Sequence, residues 1–169
     1  FIKVKNSSDI EIERKWTING PILPNTAFDL LSITPKNHVA ALSWTALSEA
    51  DTTVSAAINL MLSNNVEKGL NALEEFLAPS LNFLLVDGAK MALKTVGRMP
   101  RRSPLHQTRG QMPSLGWHPE NKWRGYWGYE VNPIIISSPG DIIGNTNNKI
   151  SDTKFPKHVS HFWGDSQRM

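Results

Sequence analysis

Cysteine is missing from all 169 residues, which excludes a disulfide framework, a CxxC redox centre, a thiolate zinc site and a cysteine nucleophile in any compartment. No apolar run approaches the roughly 20 residues a membrane-spanning helix requires, so no membrane partner is expected. A dominant charge is lacking too. The formal net charge is +3, and with 40% hydrophobic and 20% charged residues the chain is too apolar for intrinsic disorder. What is present suffices for one core of ordinary size, and a single soluble globular segment is the expectation. The opening Phe1-Ile2-Lys3 carries neither an initiator Met nor a basic and apolar leader, which predicts an internal piece of a longer protein.

Several familiar chemical motifs are also absent. There is no GxxxxGK[ST] or GxGxxG phosphate loop, no GxSxG elbow and no HExxH. His158 and His161 would share one helical face, but no carboxylate completes a metal site, so surface or packing roles are expected for them. Lys90, Lys94, Arg98, Arg101, Arg102 and Arg109 lie close together without a helix-turn-helix, RNP or finger pattern. They read as a solvated surface, and no nucleic-acid partner is expected.

Residues Asp9 to Ile18 alternate, with Ile10, Ile12 and Trp16 between Glu11, Glu13 and Lys15, which predicts a strand running into the Asn19-Gly20 turn. Pro21 and Pro24 make the next segment edge or connecting chain, and His38 to Leu47 reads as a mostly buried strand. Asp51 is placed to cap a helix whose Val54, Ile58, Met61 and Leu62 form one face. A second helix begins at Asn65, with Val66, Leu70, Leu73, Phe76 and Leu77 as its stripe, and ends before Pro79. Both stripes are expected to pack on a sheet. Leu81 to Val86 and Met91 to Val96 flank Asp87-Gly88, which predicts a tight hairpin. Gly97 to Gly128 reads as a long ordered loop whose aromatic rings are buried. Asp141 to Asn145 is expected as the last strand. The fold class is therefore α+β, an antiparallel sheet with covering helices.

That last strand would deliver Asn145, Asn147 and Asn148 to its end, with Trp163 and Arg168 some twenty residues on. Two Asn at i and i+2 of an extended stretch aim their amides to one face. One reading is an Asn-rich turn whose side chains satisfy each other, which composition alone favours. The other is a set of NH₂ donors aimed at a developing oxyanion.

An ordered series of segments resembles part of the β-chain of the penicillin acylase (penicillin amidase) family. It runs through Asn19-Gly20-Pro21-Ile22-Leu23, Leu42-Ser43-Trp44-Thr45-Ala46-Leu47, Phe76-Leu77-Ala78-Pro79-Ser80-Leu81-Asn82-Phe83, Val86-Asp87-Gly88 and Gly97-Arg98-Met99-Pro100. It continues through Met112-Pro113-Ser114-Leu115-Gly116-Trp117, Trp123-Arg124-Gly125-Tyr126, Asn132-Pro133, Ser138-Pro139-Gly140, Asn145-Thr146-Asn147-Asn148 and Phe155-Pro156 to Trp163 and Arg168.

The resemblance implies part of an αββα N-terminal-nucleophile hydrolase sandwich, matured by self-cleavage into α- and β-chains. It implies hydrolysis of a linear amide through an acyl-enzyme, with the β-chain's N-terminal Ser as nucleophile and its own α-amine as base. In the family's motif the first Asn of the Asn-Asn pair gives a side-chain donor to the oxyanion hole, which matches Asn147. The Arg that orders this Asn matches Arg168. Phe1 is not a nucleophile, so the segments bearing the nucleophile and the acyl pocket are expected upstream, and this chain alone is expected to be inactive. The implied partners are a small N-acyl amide substrate and the remaining α- and β-chain segments of the same precursor. A penicillin, an acyl-homoserine lactone and another N-acyl amine all remain open as substrates. No catalytic cofactor is implied. The structural calcium of typical members belongs to the intact enzyme, and no metal residue is assigned here. A periplasmic or secreted location follows from the resemblance. The competing class is a non-catalytic binding or structural module that retained the framework. Cut from its sandwich, the segment is expected to expose apolar surface and self-associate.

Overall fold

The structure, a computed structural model, describes residues 1–151. It divides into two compact units, Phe1–Leu47 and a second beginning at Ser48. In the first unit the Asn19-Gly20 turn forms, joining β1 (Trp16–Thr17) to β2 (Gly20–Pro21) in an antiparallel pair. Gly20 sits at φ +120°, and a Cβ there would lie 2.0 Å from the Leu42 carbonyl oxygen, so only glycine fits.

The two long strands expected in this unit do not form. From Asp9 to Ile18 only Trp16–Thr17 is strand, and Ile10 makes a single bridge with Ile2. Ile10, Ile12 and Trp16 are all exposed, so the alternation has no sheet to face. His38 to Leu47 contributes one bridge, Ile22 to Ala41, and then the 3-10 turn Thr45–Leu47. Its partner stretch carries Pro21 and Pro24, whose missing N–H groups stop a ladder from extending.

The second unit is built on a hairpin that forms as expected. β3 (Leu81–Val86) pairs antiparallel with β4 (Met91–Val96) from Leu81 opposite Val96 to Val86 opposite Met91. Its turn differs from the expected type, because Gly88 is not among the residues of positive φ. The loop is closed by the Asp87 carboxylate, which accepts from the Ala89 and Lys90 N–H groups at 2.8 and 3.0 Å. Its other oxygen accepts the Val66 N–H at 2.8 Å. These three bonds, that from Val66 foremost, hold the Asp87 carboxyl below its usual pKa.

The third strand, β5 (Ile134–Ile136), lies beside β4, so the order is β3-β4-β5. Asp141 to Asn145, expected as strand, is not one. Asp141 instead folds back on Ser138, whose N–H it accepts at 2.6 Å, in a turn that Gly140 passes at φ +95°. β4 is thus the central strand, and Ala92, Leu93, Lys94, Thr95 and Val96 are all buried.

Helix α1 (Thr53–Met61) starts one residue later than expected, with Thr52 at the N-cap, while the Asp51 carboxylate accepts the Thr53 N–H at 2.9 Å. Helix α2 (Val66–Ala72) is capped as expected by the Asn65 side chain, which accepts from the Lys68 N–H, and it tightens into a 3-10 turn over Leu73–Glu75. The helix expected to reach Pro79 thus ends early, but its stripe still packs inward: Val66, Leu73, Phe76 and Leu77 are buried and Leu70 half-buried, and Leu73 and Phe76 form the core with Ala56 and Val96. The stripe expected to bury α1 faces outward: Val54, Ile58, Met61 and Leu62 are all exposed. Its inner face is Ala56 and Leu60, set by two threonines. Thr52 Oγ1 donates to the Glu75 carbonyl at 2.6 Å, and Thr53 Oγ1 accepts the Leu77 and Ala78 N–H groups at 3.1 and 3.0 Å.

The loop from Gly97 to Gly128 is ordered around buried polar side chains rather than buried rings. Asn121 accepts the Gln107 N–H at 3.0 Å and donates to Gln107 Oε1 at 2.8 Å and to the Leu115 carbonyl at 3.0 Å. Ser103 and His106 are buried beside it, whereas Trp117 is 61% exposed. Burial, assisted by the nearby Arg102 charge, lowers the His106 pKa. No helix among the described residues is long and apolar enough to cross a membrane.

Candidate functional site

Asparagine tolerates the left-handed region better than other residues with a Cβ, because its short amide bonds locally to the backbone. Asn147 takes φ +66° at an exposed corner of a turn over 145–148. The two flanking asparagines build that turn. Asn145 Oδ1 accepts the Asn147 N–H at 3.1 Å, and Asn145 Nδ2 donates to the Asn148 carbonyl at 3.1 Å. Asn148 Oδ1 accepts from the Thr146 N–H and hydroxyl at 3.0 and 3.1 Å. The turn is tied to the sheet by Asn82 of β3, whose Nδ2 donates to Asn145 Oδ1 at 3.0 Å. Asn82 Oδ1 in turn accepts from the hydroxyl of Thr95, its cross-strand partner on β4, at 2.7 Å.

This end of the hairpin is close-packed. Gly97 follows β4 at φ +96°, and a Cβ there would meet Ser80 Cα at 2.8 Å. Asn132 donates from Nδ2 to the Gly97 carbonyl at 3.0 Å, and its own carbonyl accepts Lys94 Nζ at 2.8 Å. Lys94 also donates to the Tyr129 carbonyl at 3.0 Å and lies 4.2 Å from the Tyr129 ring centre. Burial lowers the Lys94 pKa, with the Glu130 charge opposing.

The expected basic surface is in part solvated, with Arg98, Arg101 and Arg109 exposed, and in part engaged with neighbouring groups. Besides buried Lys94, Lys90 pairs with Glu67, Arg101 forks onto the Arg124 carbonyl at 3.0 and 2.8 Å, and Arg102 lies 5.9 Å from the Trp123 ring centre. A cleft of about 450 Å³ lies between Glu74, Glu75 and Phe76 on one side and Gly97, Arg98 and residues 126–129 on the other. None of these lining residues is a Ser, Thr or His, so the cleft brings no nucleophile or imidazole base of its own.

A family model described as penicillin amidase matches residues 1–169. The chain belongs to the penicillin amidase family. Among its relatives, the acyl-homoserine lactone acylase QuiP of Pseudomonas fluorescens is 28% identical over 152 residues, covering 90% of this chain and 18% of that protein. The penicillin acylase 2 proenzyme of Pseudomonas sp. strain SE83 is 23% identical over 159 residues, 94% of this chain and 19% of that protein. The solved thermostable penicillin G acylase from Alcaligenes faecalis superposes with a TM-score of 0.73 at 18% identity, over 96% of this chain and 28% of that one. This last likeness supports the α+β fold with its antiparallel sheet. The chain therefore spans about a fifth of the length of these two curated relatives.

Asn145 and Asn148 are turn builders that satisfy local groups, and the same-face donor pair expected of a strand does not exist because 145–148 is a turn. Asn147 is the exposed member. Arg168, together with Trp163, His158 and His161, lies outside the described residues. Among the described residues no group of three or more His, Asp or Glu is placed to hold a metal ion. Sequence reasoning missed Asn82 and Thr95. The available signal was Asn82 itself, an amide in the otherwise apolar run of β3, where asparagine is disfavoured.

Proposed function

We propose that this chain is an internal β-chain part of an amidohydrolase that cleaves linear N-acyl amides through an acyl-enzyme, and that Asn147 donates to its oxyanion. Family membership and relatives named as acylases support the reaction class. The observation that carries the residue assignment is the exposed, left-handed Asn147 on a turn whose other two asparagines are used in holding it. The nucleophile comes from another segment. Its serine oxygen bonds to the carbonyl carbon, the hydroxyl proton passes to the α-amine base, and the carbonyl oxygen becomes an anion. Collapse breaks the C–N bond, the proton leaves with the amine, and water then releases the acid. A donor fixed where that anion develops stabilises the transition state more than the ground state. Arg168 orders the Asn147 amide, and a structural calcium, where the intact enzyme holds one, takes its carboxylates from other segments.

The test is Asn147→Ala in the full-length enzyme, with kcat counted per processed molecule. The expected result is a kcat lower by about 10²- to 10³-fold with a smaller change in KM, because that is what one oxyanion donor contributes. Self-cleavage of the precursor is expected to slow as well, since it passes through a similar oxyanion. A lower melting temperature with kcat unchanged would remove Asn147 from the catalytic machinery. Absence of any amide hydrolysis by the full-length parent would favour the non-catalytic module.

A further inference from the structure

We propose that Asn82 is a positioning residue for Asn147, acting through the Asn145 amide; the inference rests on the oxyanion role given to Asn147 above. The argument is one of obligatory donors and acceptors. A backbone N–H can only donate, so the Asn145 atom 3.1 Å from the Asn147 N–H is its oxygen. A backbone carbonyl can only accept, so the Asn145 atom 3.1 Å from the Asn148 carbonyl is its nitrogen. Both ends of the turn thus demand the same orientation of the Asn145 amide. Given that orientation, the group Asn82 presents to Asn145 Oδ1 at 3.0 Å is its NH₂, and its own oxygen faces Thr95. The Thr95 hydroxyl therefore donates, at 2.7 Å. The donations converge on Asn145 Oδ1: one series runs to it from buried Thr95 on the central strand through Asn82, and the N–H of the exposed Asn147 donates to it from the turn.

Through this chain the rigid hairpin sets a backbone angle. With Asn145 Oδ1 holding the Asn147 N–H, the corner residue stays at φ +66°, and that angle decides where the Asn147 side chain leaves the backbone. Reversing the Asn145 amide would set NH₂ against N–H at one end and oxygen against carbonyl at the other, so the turn would have to move. The Asn82 NH₂ adds a third contact that favours the same orientation, since a reversed Asn145 amide would meet it with its own NH₂ unless Asn82 reversed as well. Asn82 touches no reacting atom, and its effect reaches the chemistry only through Asn147.

Asn82→Asp in the full-length enzyme is the direct test. The substitution keeps the shape but offers Asn145 an acceptor in place of the donor. Misplacing a catalytic group by an ångström can cost on the order of 10²-fold, so kcat is expected to fall by about 10- to 100-fold with KM little changed. In an Asn147→Ala background the same substitution is expected to leave kcat where that background already put it, since the group it positions is gone. Unchanged kcat for Asn82→Asp would overturn the inference, and so would an equal loss in both backgrounds, which is the signature of a merely structural residue. Should Asn82→Asp fail to yield processed enzyme, Thr95→Val removes only the hydroxyl that orients Asn82. The same dependence on Asn147 is then required, with a smaller loss. Asn147→Ala alone separates the two levels. No loss there sinks the oxyanion role and this inference together, whereas a loss there with none on Asn82→Asp sinks this inference only.

Discussion

Helices α1 and α2 follow one another closely, and each begins a run of large apolar residues at helical spacing, yet only the run that starts in α2 and continues past its end is largely buried. Leu73, just beyond α2, is 0% exposed, whereas Met61 at the end of α1 is 85% exposed. The difference comes from what anchors each helix. Thr52 and Thr53 hydrogen-bond to the backbone of residues 75–78 and fix the rotation of α1, turning small Ala56 to the core and the large side chains away. α2 is held at its start by Asp87 and Asn65 and along its length by Tyr129, whose hydroxyl donates to the Leu70 carbonyl at 3.0 Å. An apolar stripe reports that a helix has a face to cover; the neighbouring polar anchors decide which face meets the core.

The sharpest way to break the comparison is Leu73→Ala. A leucine this buried, in contact with Ala56, Phe76 and Val96, is expected to cost about 2–5 kcal/mol in a denaturant titration, because its removal adds a cavity to the lost transfer free energy. Tyr129→Phe comes next, at about 1 kcal/mol for the hydrogen bond to Leu70. It also carries a pH signature. Burial, with the Glu74 charge adding, pushes the Tyr129 pKa up to about 12, against about 10 in the unfolded chain. The folded state therefore holds the proton longer, and this contribution to stability, full below pH 10, is lost as pH rises through about 12. Tyr129→Phe is expected to remove that part of the alkaline decline, as followed by urea unfolding at a series of pH values. The smallest effect on folding is expected from the outer face of α1. Ile58→Lys with Met61→Glu should each change stability by no more than about 0.5 kcal/mol. Both should lower self-association of the chain in light scattering, because they break an exposed apolar patch.

The β3-β4 hairpin shows what local chemistry carries. Two apolar six-residue runs around an aspartate that can accept its own loop's N–H groups leave one plausible pairing, and the register follows. α2 was legible at its Asn65 cap but not at its end: the helix expected to reach Pro79 stops at Ala72, a 3-10 turn follows to Glu75, and Phe76 is already extended. β5 was not, because Ile134–Ile136 and the run after Asp141 are both short and apolar, and which of them pairs is decided by whether β4 has a free edge for it. Asn132 and Pro133 answer that question. The Asn132 and Pro133 carbonyls accept Lys94 Nζ and the Thr95 N–H, which bring Ile134 alongside β4. The buried lysine follows from the same connection, since the chain leading into β5 lays the Tyr129 ring against Lys94 and satisfies it with the Tyr129 and Asn132 carbonyls.

The candidate site divides along the same line. The sequence by itself determined that Asn147 belongs to an asparagine cluster and, through the ordered motif series, to the penicillin amidase family. It also determined the strands of the hairpin and the start of α2, whose signals lie within a few residues of the structure they specify. Only the tertiary structure decided that Asn145 and Asn148 are spent on the turn, that Asn82 and Thr95 hold it from 63 and roughly 50 residues away, and that α1 turns its large side chains outward. Those outcomes depend on which donor finds which acceptor across the fold, and hydrogen-bond complementarity at long sequence separation leaves no periodic trace in the chain.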